Sequence, residues 1–517
     1  MKRAGYFHIS QLPNNYLRLI IFTMVFNSYT FIVFFIIVLV LHNLPFSWKT
    51  KKVNLLLASY IFYAAWNPPF ILLLWLSTLV DFFVGRALYT QENKHKKKLL
   101  LVVSLIGNLG MLCFFKYGAF ILENFTHLVN LLGIHYHPAK PNIILPAGIS
   151  FYTFTTLCYT IDMYKKKSEP VKSLLDFSLF VTFFPHLVAG PIVRPPQLVP
   201  QFETKHSASR QQLMQGLLLV TLGLFMKVVL ADSMLAAPAN TIFHSAKALN
   251  TLDAWMGVLA FSGQIFFDFA GYSTCAIGVA SCLGFVLPHN FLYPYAAVGF
   301  SDFWRRWHIT LSAWLRDYLY IPLGGNRNGK FRTYINLMIT MLLGGLWHGA
   351  NWTFVVWGAL HGFYLWVEKL IQDSRNKIVL EPLPTTVPII VQNGPGTPGF
   401  LKKARYTDFI MAMFTFFLIN VTWVFFRSPD FTSAWRLLVS MFSHVPNGAL
   451  LLSTLSIIKI TLIITAMVAC HWLMRNTRVL TVAEKMPWWL LGIVWSAMLV
   501  LLILSQESSS SFIYFQF

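Results

Sequence analysis

Residues 342–349 read LLGGLWHG and place a histidine, His348, at the end of an apolar run. The run 334–347 precedes this histidine, and a second apolar run, 352–367, follows it. Two apolar runs joined by a short polar segment predict a helical hairpin with His348 at its apex. At about 1.5 Å per residue, ~15 residues put the imidazole roughly 22 Å from the cytoplasmic membrane boundary, inside a hydrocarbon core about 30 Å thick.

An ionisable side chain at that depth usually faces a protein cavity and has a function. Imidazole is also the commonest general base in enzymes. His348 is therefore the first candidate for catalysis. The alternative interpretation is a histidine that only hydrogen-bonds neighbouring helices.

The composition places this hairpin in a membrane protein. Hydrophobic residues make up 56% of the 517 positions, and charged residues only 11%. Apolar windows near the length of a membrane span recur between positions 26 and 504. Because hydrocarbon satisfies no backbone polar group, and because these windows are long runs rather than short alternations, they indicate helices rather than barrel strands. The predicted fold class is all-α, a polytopic membrane protein with re-entrant and interfacial helices.

The net charge of +21 comes from residues in short loops between apolar runs, for example 49–52, 94–98 and 165–172. Cytoplasmic loops of membrane proteins carry such an excess of lysine and arginine. The pattern favours a multi-pass membrane protein in contact with lipid, with these loops on the cytoplasmic side. It disfavours nucleic acid as a partner.

The sequence divides into a short N-terminal extension and one transmembrane domain. Met24 opens a segment, MVFNSYTFIVFF, that would serve as a natural start, so residues 1–23 are interpreted as an N-terminal extension and 24–517 as one transmembrane domain. Within that domain we expect a catalytic hairpin at 342–362 and a cytoplasmic loop at 372–407. Between 174 and 292, prolines and glycines predict broken or re-entrant helices. These glycines are Gly263, Gly271, Gly278 and Gly284.

Residues 301–323, SDFWRRWHITLSAWLRDYLYIPL, carry too many charges to span a membrane but are amphipathic at 100° per residue. The apolar face is predicted to consist of Trp304, Trp307, Leu311, Trp314, Leu315 and Tyr318. We expect a helix along the membrane interface, with His308 on the flank of this face. The arginines on the opposite face are expected either to contact anionic lipid alone or to hold an acidic ligand as well.

Residues 324–330, GGNRNGK, match a phosphate-binding loop in spacing only. Phe331 occupies the position that should offer a hydroxyl to Mg²⁺, and a helix is predicted where a strand should precede the loop, so nucleotide hydrolysis is excluded. A cationic loop of this kind can still serve the phosphates of a soluble donor. The candidate donor-binding residues are Arg305, Arg306, Arg316, Arg327 and Lys330. No metal site is predicted, because no cluster with metal-ligand spacing occurs.

Four segments together resemble the membrane-bound O-acyltransferases, in the branch of the bacterial alginate O-acetyltransferases. They are FFPHLVAGPIVRP (183–195), FFDFAGYSTCAIG (266–278), FWRRWHITLSAWLRDYLYIPLGGNR (303–327) and LLGGLWHGANWTFVVWGALHG (342–362). The resemblance extends from about Met24 to the closing FIYFQF. It implies a multi-pass protein of the bacterial cytoplasmic (inner) membrane, with a helical bundle around a thinned centre where a cytosolic acyl donor and an extracytoplasmic hydroxyl acceptor meet.

The resemblance also implies the chemistry. His348 is expected to be the catalytic histidine and His308 the second one. The expected donor is acetyl-CoA, with no bound cofactor. The expected acceptor is an exported, alginate-like polysaccharide or a periplasmic SGNH-type acetyltransferase partner, alongside polysaccharide export machinery.

As a mechanism, we expect His348 to take the proton of the acceptor hydroxyl while His308 or a nearby donor stabilises the tetrahedral oxyanion. Candidate supporting groups are Asp317, Asp268, Tyr272 and Asn351. His361, on the second helix of the hairpin, is expected to pack or to have a secondary polar role.

The sequence departs from the alginate branch at two places. Thr274 stands where the alginate branch has an acidic residue, and 382–403 is unlike that branch, so alginate itself is not the predicted acceptor.

D-alanyl transfer to teichoic acid would use the same fold and histidines. A transporter would be expected to show paired repeats, which we do not find, and a structural scaffold would tolerate loss of His348.

Overall fold

The computed structural model describes residues 24–139, 141–375, 406–505 and 513. Regular structure in these residues is helical, apart from an isolated bridge between Leu249 and Ala449. The predicted all-α fold class is therefore confirmed. The extension at 1–23, most of the 372–407 loop and most of the closing FIYFQF lie outside the described residues.

The first group of helices begins at polar caps. Ser28, Ser47 and Asn93 each accept a backbone N–H from the first turn of the helix that follows, which satisfies a donor that has no partner within the helix. The helices are α1 (Tyr29–Asn43), α2 (Trp48–Ala64), α3 (Ile71–Thr90), α4 (Lys94–Leu112), α5 (Gly118–Leu131) and α6 (Ile149–Tyr164). A π-helical turn, Cys113–Tyr117, joins α4 to α5.

The middle group contains the interruptions that its prolines predict. Pro185 lies in the four-residue α8, and Pro195 begins α9. The helices are α7 (Leu174–Thr182), α8 (Phe184–Leu187), α9 (Pro195–Glu203), α10 (Arg210–Leu224), α11 (Ala237–Phe243) and α12 (Thr251–Cys282). A π-helical segment, Phe225–Ala236, connects α10 to α11.

The expectation of a break within 251–282 is wrong, because α12 is one continuous helix of 32 residues. Its glycines are packing positions. A Cβ on Gly223 of α10 would lie 2.5 Å from the carbonyl oxygen of Gly271 of α12, so the two backbones touch where neither residue has a side chain.

The last group of helices carries the candidate catalytic histidines, His308 and His348. Its helices are α13 (Phe300–Arg306), α14 (Ile309–Leu315), α15 (Gly329–His348), α16 (Trp352–Arg375), α17 (Tyr406–Arg427), α18 (Phe431–Phe442), α19 (Thr454–Leu473), α20 (Val479–Lys485) and α21 (Trp488–Leu504). A π-helical turn, Arg316–Tyr320, follows α14.

The predicted single interfacial helix at 301–323 is divided in the structure. His308 has a φ of 43°, in the left-handed region, and it separates α13 from α14. Trp307, Leu311 and Trp314 are buried in the protein. The apolar face of this segment therefore packs against other helices, since its aromatic rings fill the space between them.

Six helical stretches within the described residues are long and apolar enough to cross a membrane. They are Pro68–Thr90, Lys94–Leu131, Arg210–Phe243, Thr251–Cys282, Tyr406–Arg427 and Thr454–Leu473. Many large apolar side chains on these helices are exposed, as expected for a surface that contacts lipid. The protein is thus a multi-pass membrane protein in contact with lipid.

Helix α12 is the centre of the bundle. In its most apolar window 83% of the residues are buried, against 17% for the stretch Lys94–Leu131. Its residues contribute to both large apolar cores, one shared with the first helices and one shared with the last. His308 packs against this central helix at Phe269.

Candidate active site

His348 is the last residue of α15, and a three-residue connection leads from it to α16. Its side chain is 3% exposed. The rings of Trp347, Trp357 and Phe426 surround the imidazole, with centroid separations of 5.0, 5.0 and 5.3 Å. The imidazole is therefore held in an apolar, aromatic environment at the turn between two helices.

The connection after His348 is itself held in place by Asn351. Its Oδ1 accepts the backbone N–H of Thr353 at 3.0 Å, at the start of α16. Its Nδ2 donates to the carbonyl of Pro429 at 2.8 Å, just after α17. These contacts support the turn geometry, so the structure places Asn351 as a residue that anchors the hairpin.

His308 lies at the break between α13 and α14 and is fully buried. Its Nδ1 is 3.1 Å from Oδ1 of Asn290. The same oxygen accepts the backbone N–H of Thr310 at 3.3 Å. Because a backbone N–H can only donate, the Asn290 atom is an oxygen, and the neutral imidazole must carry its proton on Nδ1. Nε2 then holds a lone pair, and it has no hydrogen-bond partner among the described residues.

Trp347 brings the two histidines together. Its ring centroid lies 5.0 Å from that of His348 and 6.0 Å from that of His308. His308 also packs edge-on against Phe269 of α12, at 4.7 Å. The segment around α13 and α14, the end of α15 and the central helix therefore meet at one place, although the two histidines are distant in sequence.

Two of the four predicted supporting residues, Asp268 and Tyr272, lie on α12 and are engaged elsewhere. A carboxylate oxygen of Asp268 lies 2.6 Å from Nζ of Lys227, and its other oxygen accepts the backbone N–H of Ile513 at 2.7 Å. The ring of Tyr272 stacks on Phe26 at 4.5 Å. These contacts join α12 to the π-helical segment after α10 and to Phe26 and Ile513, which lie near opposite ends of the described residues.

Asp317 lies in a cluster with arginines. Arg316 donates to it from Nε and Nη2 at 2.7 and 3.2 Å, and Arg194 lies 2.7 Å away. Burial alone would raise the pKa of Asp317, but the hydrogen bonds of Arg316 and the charge of Arg194 hold that pKa below its usual value. The carboxylate is therefore ionised and neutralises these cations.

The five predicted donor-binding cations separate into two groups. Arg306 is buried and donates to Asp302 at 2.9 Å and to the carbonyl of Arg475 at 3.0 Å. Arg316 is engaged with Asp317. The exposed cations are Arg305, Arg327 and Lys330. The exposed group can reach a soluble anionic donor, whereas Arg306 and Arg316 hold the fold together.

No group of three His, Cys, Asp or Glu side chains within the described ranges has the arrangement of a metal site. His361, on α16, has Nε2 3.1 Å from the hydroxyl of Thr422, which itself donates to the carbonyl of Ile419. The hydroxyl therefore accepts from His361. This is a packing contact with a secondary polar role.

Sequence reasoning missed three residues around the histidines. Asn290 has no sequence signal, because its hydrogen bond to His308 is visible only in the folded structure. Lys116 donates from Nζ to the carbonyls of Trp347 and His348, at 2.6 and 3.0 Å. Tyr117 donates to the carbonyl of Leu346 at 2.9 Å. A lysine within an apolar helical stretch is a signal that could have identified Lys116.

Comparison with known proteins identifies the class of enzyme. The profile of MBOAT, the membrane-bound O-acyltransferase family, matches residues 17–394. A probable alginate O-acetylase AlgI of Pseudomonas putida is 36% identical over 96% of this chain and 100% of its own length. The corresponding protein of Pseudomonas aeruginosa is 38% identical over 81% of this chain and 75% of its own. A peptidoglycan O-acetyltransferase of Helicobacter pylori is 38% identical over 75% of this chain and 73% of its own. With these similarities, and with helices that cross the membrane, the chain belongs to the membrane-bound O-acyltransferase family and is an O-acyltransferase.

Proposed function

We propose that this protein passes an acetyl group from a cytosolic donor across the membrane to hydroxyls of an exported polysaccharide, directly or through a periplasmic SGNH-type acetyltransferase. The observation that carries the proposal is the meeting of two buried histidines on Trp347 at the end of α15. The relatives support the choice of acyl group and acceptor class, because their names specify O-acetyl transfer to alginate and to peptidoglycan.

The proposed donor is acetyl-CoA. A thioester with a phosphorylated carrier needs cations at the cytosolic face, and the exposed Arg305, Arg327 and Lys330 can supply them. The proposed location is the bacterial inner membrane, where a cytosolic donor and an exported acceptor are separated by a single bilayer.

In the proposed mechanism, His348 takes the proton of the acceptor hydroxyl as that oxygen attacks the thioester carbonyl. The carbon–sulfur bond then breaks, and the proton passes from His348 to the departing thiolate. His308 has its lone pair on Nε2 when neutral, so it can accept a proton but cannot donate from Nε2 to an oxyanion. The geometry therefore favours His308 as a hydrogen-bond acceptor over the expected role as an oxyanion donor.

The test measures ester-linked acetate in the exported polysaccharide and in the peptidoglycan of cells that express each variant at the same membrane level. The strains carry the wild type, a deletion, or His348→Ala. The matched control is His361→Gln, which alters a buried histidine that packs on the same Trp357 at 4.6 Å. We expect acetylation to be lost in the deletion strain and to fall by on the order of 10²- to 10⁴-fold for His348→Ala.

The control variant should retain most of the acetylation. Wild-type acetate in His348→Ala cells would show that this histidine is not the base. The polymer that loses acetate identifies the acceptor, and loss from neither polymer would contradict the proposed acceptor class.

A further inference from the structure

A lysine of a candidate membrane span lies against the end of the helix that carries His348. Lys116 belongs to the stretch Lys94–Leu131, one of the candidate membrane spans, and it is half-buried. Placing a charged side chain within a bilayer is costly, so such residues usually have a partner and a function. The neighbouring backbone forms a π-helical turn, Cys113–Tyr117, a distortion that is frequent at functional sites.

The partners of Lys116 are backbone carbonyls at the carboxy-terminal end of α15. Nζ donates to the carbonyl of Trp347 at 2.6 Å and to that of His348 at 3.0 Å, and it lies 5.6 Å from the centre of the Trp347 ring. The next residue, Tyr117, donates its hydroxyl to the carbonyl of Leu346 at 2.9 Å. Two consecutive residues thus hold the last three carbonyls of the helix.

These carbonyls need external donors. The last four C=O groups of an α-helix have no partner within the helix, and they carry the negative end of its dipole. A cation at this end is favourable for both reasons, and water is excluded from the hydrocarbon region as an alternative donor. Without such donors the last turn of α15 would be free to unwind, and His348 is its final residue.

We propose that Lys116 is a positioning residue for catalysis, whose ammonium, together with the Tyr117 hydroxyl, fixes the last turn of α15 and so the direction of the His348 imidazole. This inference rests on the catalytic role proposed above for His348. The hydrogen bonds of Lys116 and Tyr117 all go to backbone carbonyls of α15. Loss of the ammonium should therefore lower kcat and leave the KM for the donor unchanged.

Charge and packing can be separated by two substitutions. Lys116→Met keeps most of the apolar stem and removes the ammonium, whereas Lys116→Arg keeps the charge. The matched control is Lys97→Met, which removes a lysine at the other end of the same stretch whose ammonium also lies over an aromatic ring, that of Tyr164, at 5.2 Å.

The assay uses each full-length protein in detergent, with acetyl-CoA as the donor and polysaccharide from the deletion strain as the acceptor. The measured quantities are kcat and the KM for acetyl-CoA, per mole of monodisperse protein. For Lys116→Met we expect kcat to fall by on the order of 10- to 10²-fold, the loss expected when a catalytic group is misplaced by about 1 Å. Lys116→Arg should recover much of this loss, and Lys97→Met should match the wild type.

A wild-type kcat for Lys116→Met would overturn the inference, as would a raised KM with kcat unchanged. If Lys116→Met is not monodisperse, Tyr117→Phe decides, because it keeps the ring and removes one of the three hydrogen bonds. A lowered kcat at constant KM for Tyr117→Phe supports the inference, and wild-type kinetics contradict it. Activity of His348→Ala in the same assay would instead show that the proposed function of His348 is wrong.

Discussion

The side-chain oxygen of Asn290 accepts the Nδ1 proton of His308 at 3.1 Å, and so decides which nitrogen of that imidazole can react. Thr310 fixes the oxygen in turn, by donating its backbone N–H and its hydroxyl at 3.3 and 3.0 Å. An imidazole oriented in this way presents a lone pair on Nε2. The second histidine of the site therefore has a defined tautomer before any substrate binds.

Asn290→Leu should lower kcat by on the order of 10- to 10²-fold, less than the loss expected for removing a general base. Leucine has a similar size but no acceptor, so the buried Nδ1 proton would be left without a partner or would move to Nε2. Asn290→Asp keeps the acceptor and should retain more activity than Asn290→Leu. The measurement is turnover of acetyl-CoA with polysaccharide from the deletion strain, and equal rates for wild type and Asn290→Leu would refute the tautomer argument.

Gly345→Ala should disrupt the hairpin of α15 and α16. A Cβ at Gly345 would overlap the carbonyl oxygen of Phe354 on the facing helix. Overpacking of this kind costs about 1–3 kcal/mol. The neighbouring Gly344 is the control, because its Cβ would meet only the end of the Leu315 side chain, at 3.2 Å. Thermal unfolding in detergent should show a lower midpoint for Gly345→Ala than for Gly344→Ala, and the reverse order would contradict this packing.

Lys227→Met should destabilise the protein by about 3–5 kcal/mol, because removing one partner of a buried ion pair leaves an uncompensated charge. The ammonium lies 2.6 Å from Asp268 and 2.9 Å from Asp232. Asp268→Asn should cost less, since the amide can still accept a hydrogen bond. If Asp268 is structural, each variant that folds will retain wild-type kcat per mole. A loss of kcat in a folded, monodisperse Asp268→Asn would make Asp268 part of the catalytic site.

Arg305→Ala should raise the KM for acetyl-CoA with little change in kcat, because an exposed cation that binds donor phosphates contributes binding that is equal in the ground and transition states. Arg306→Ala should instead lower the unfolding midpoint, because this buried side chain links Asp302 to the carbonyl of Arg475. Both variants are purified in parallel, and the KM for acetyl-CoA, kcat and the unfolding midpoint are measured for each. An unchanged KM for Arg305→Ala would remove this arginine from the donor site.

The sequence by itself determined the membrane class, the helical fold and the position of His348 between two apolar runs. These features depend on hydrophobic periodicity, and periodicity is local. The prolines at 185 and 195 likewise predicted interruptions where α8 and α9 are short, because a proline removes a backbone donor wherever it lies. The resemblance to the acyltransferases added His308, which no local pattern would have selected.

Only the tertiary structure decided how these parts act together. The glycines of α12 predicted breaks, yet α12 is unbroken and Gly271 is where it touches α10. A glycine permits either a bend or a close approach of two backbones, because it has no side chain. The left-handed backbone conformation of His308 could not be predicted from the sequence. The helical-wheel analysis of 301–323 assumes one continuous helix with regular geometry. Lys116 and Trp347 are separated by 231 residues. Their hydrogen bond exists because packing brings the two helices together, and no pattern along the chain encodes which distant segments will meet.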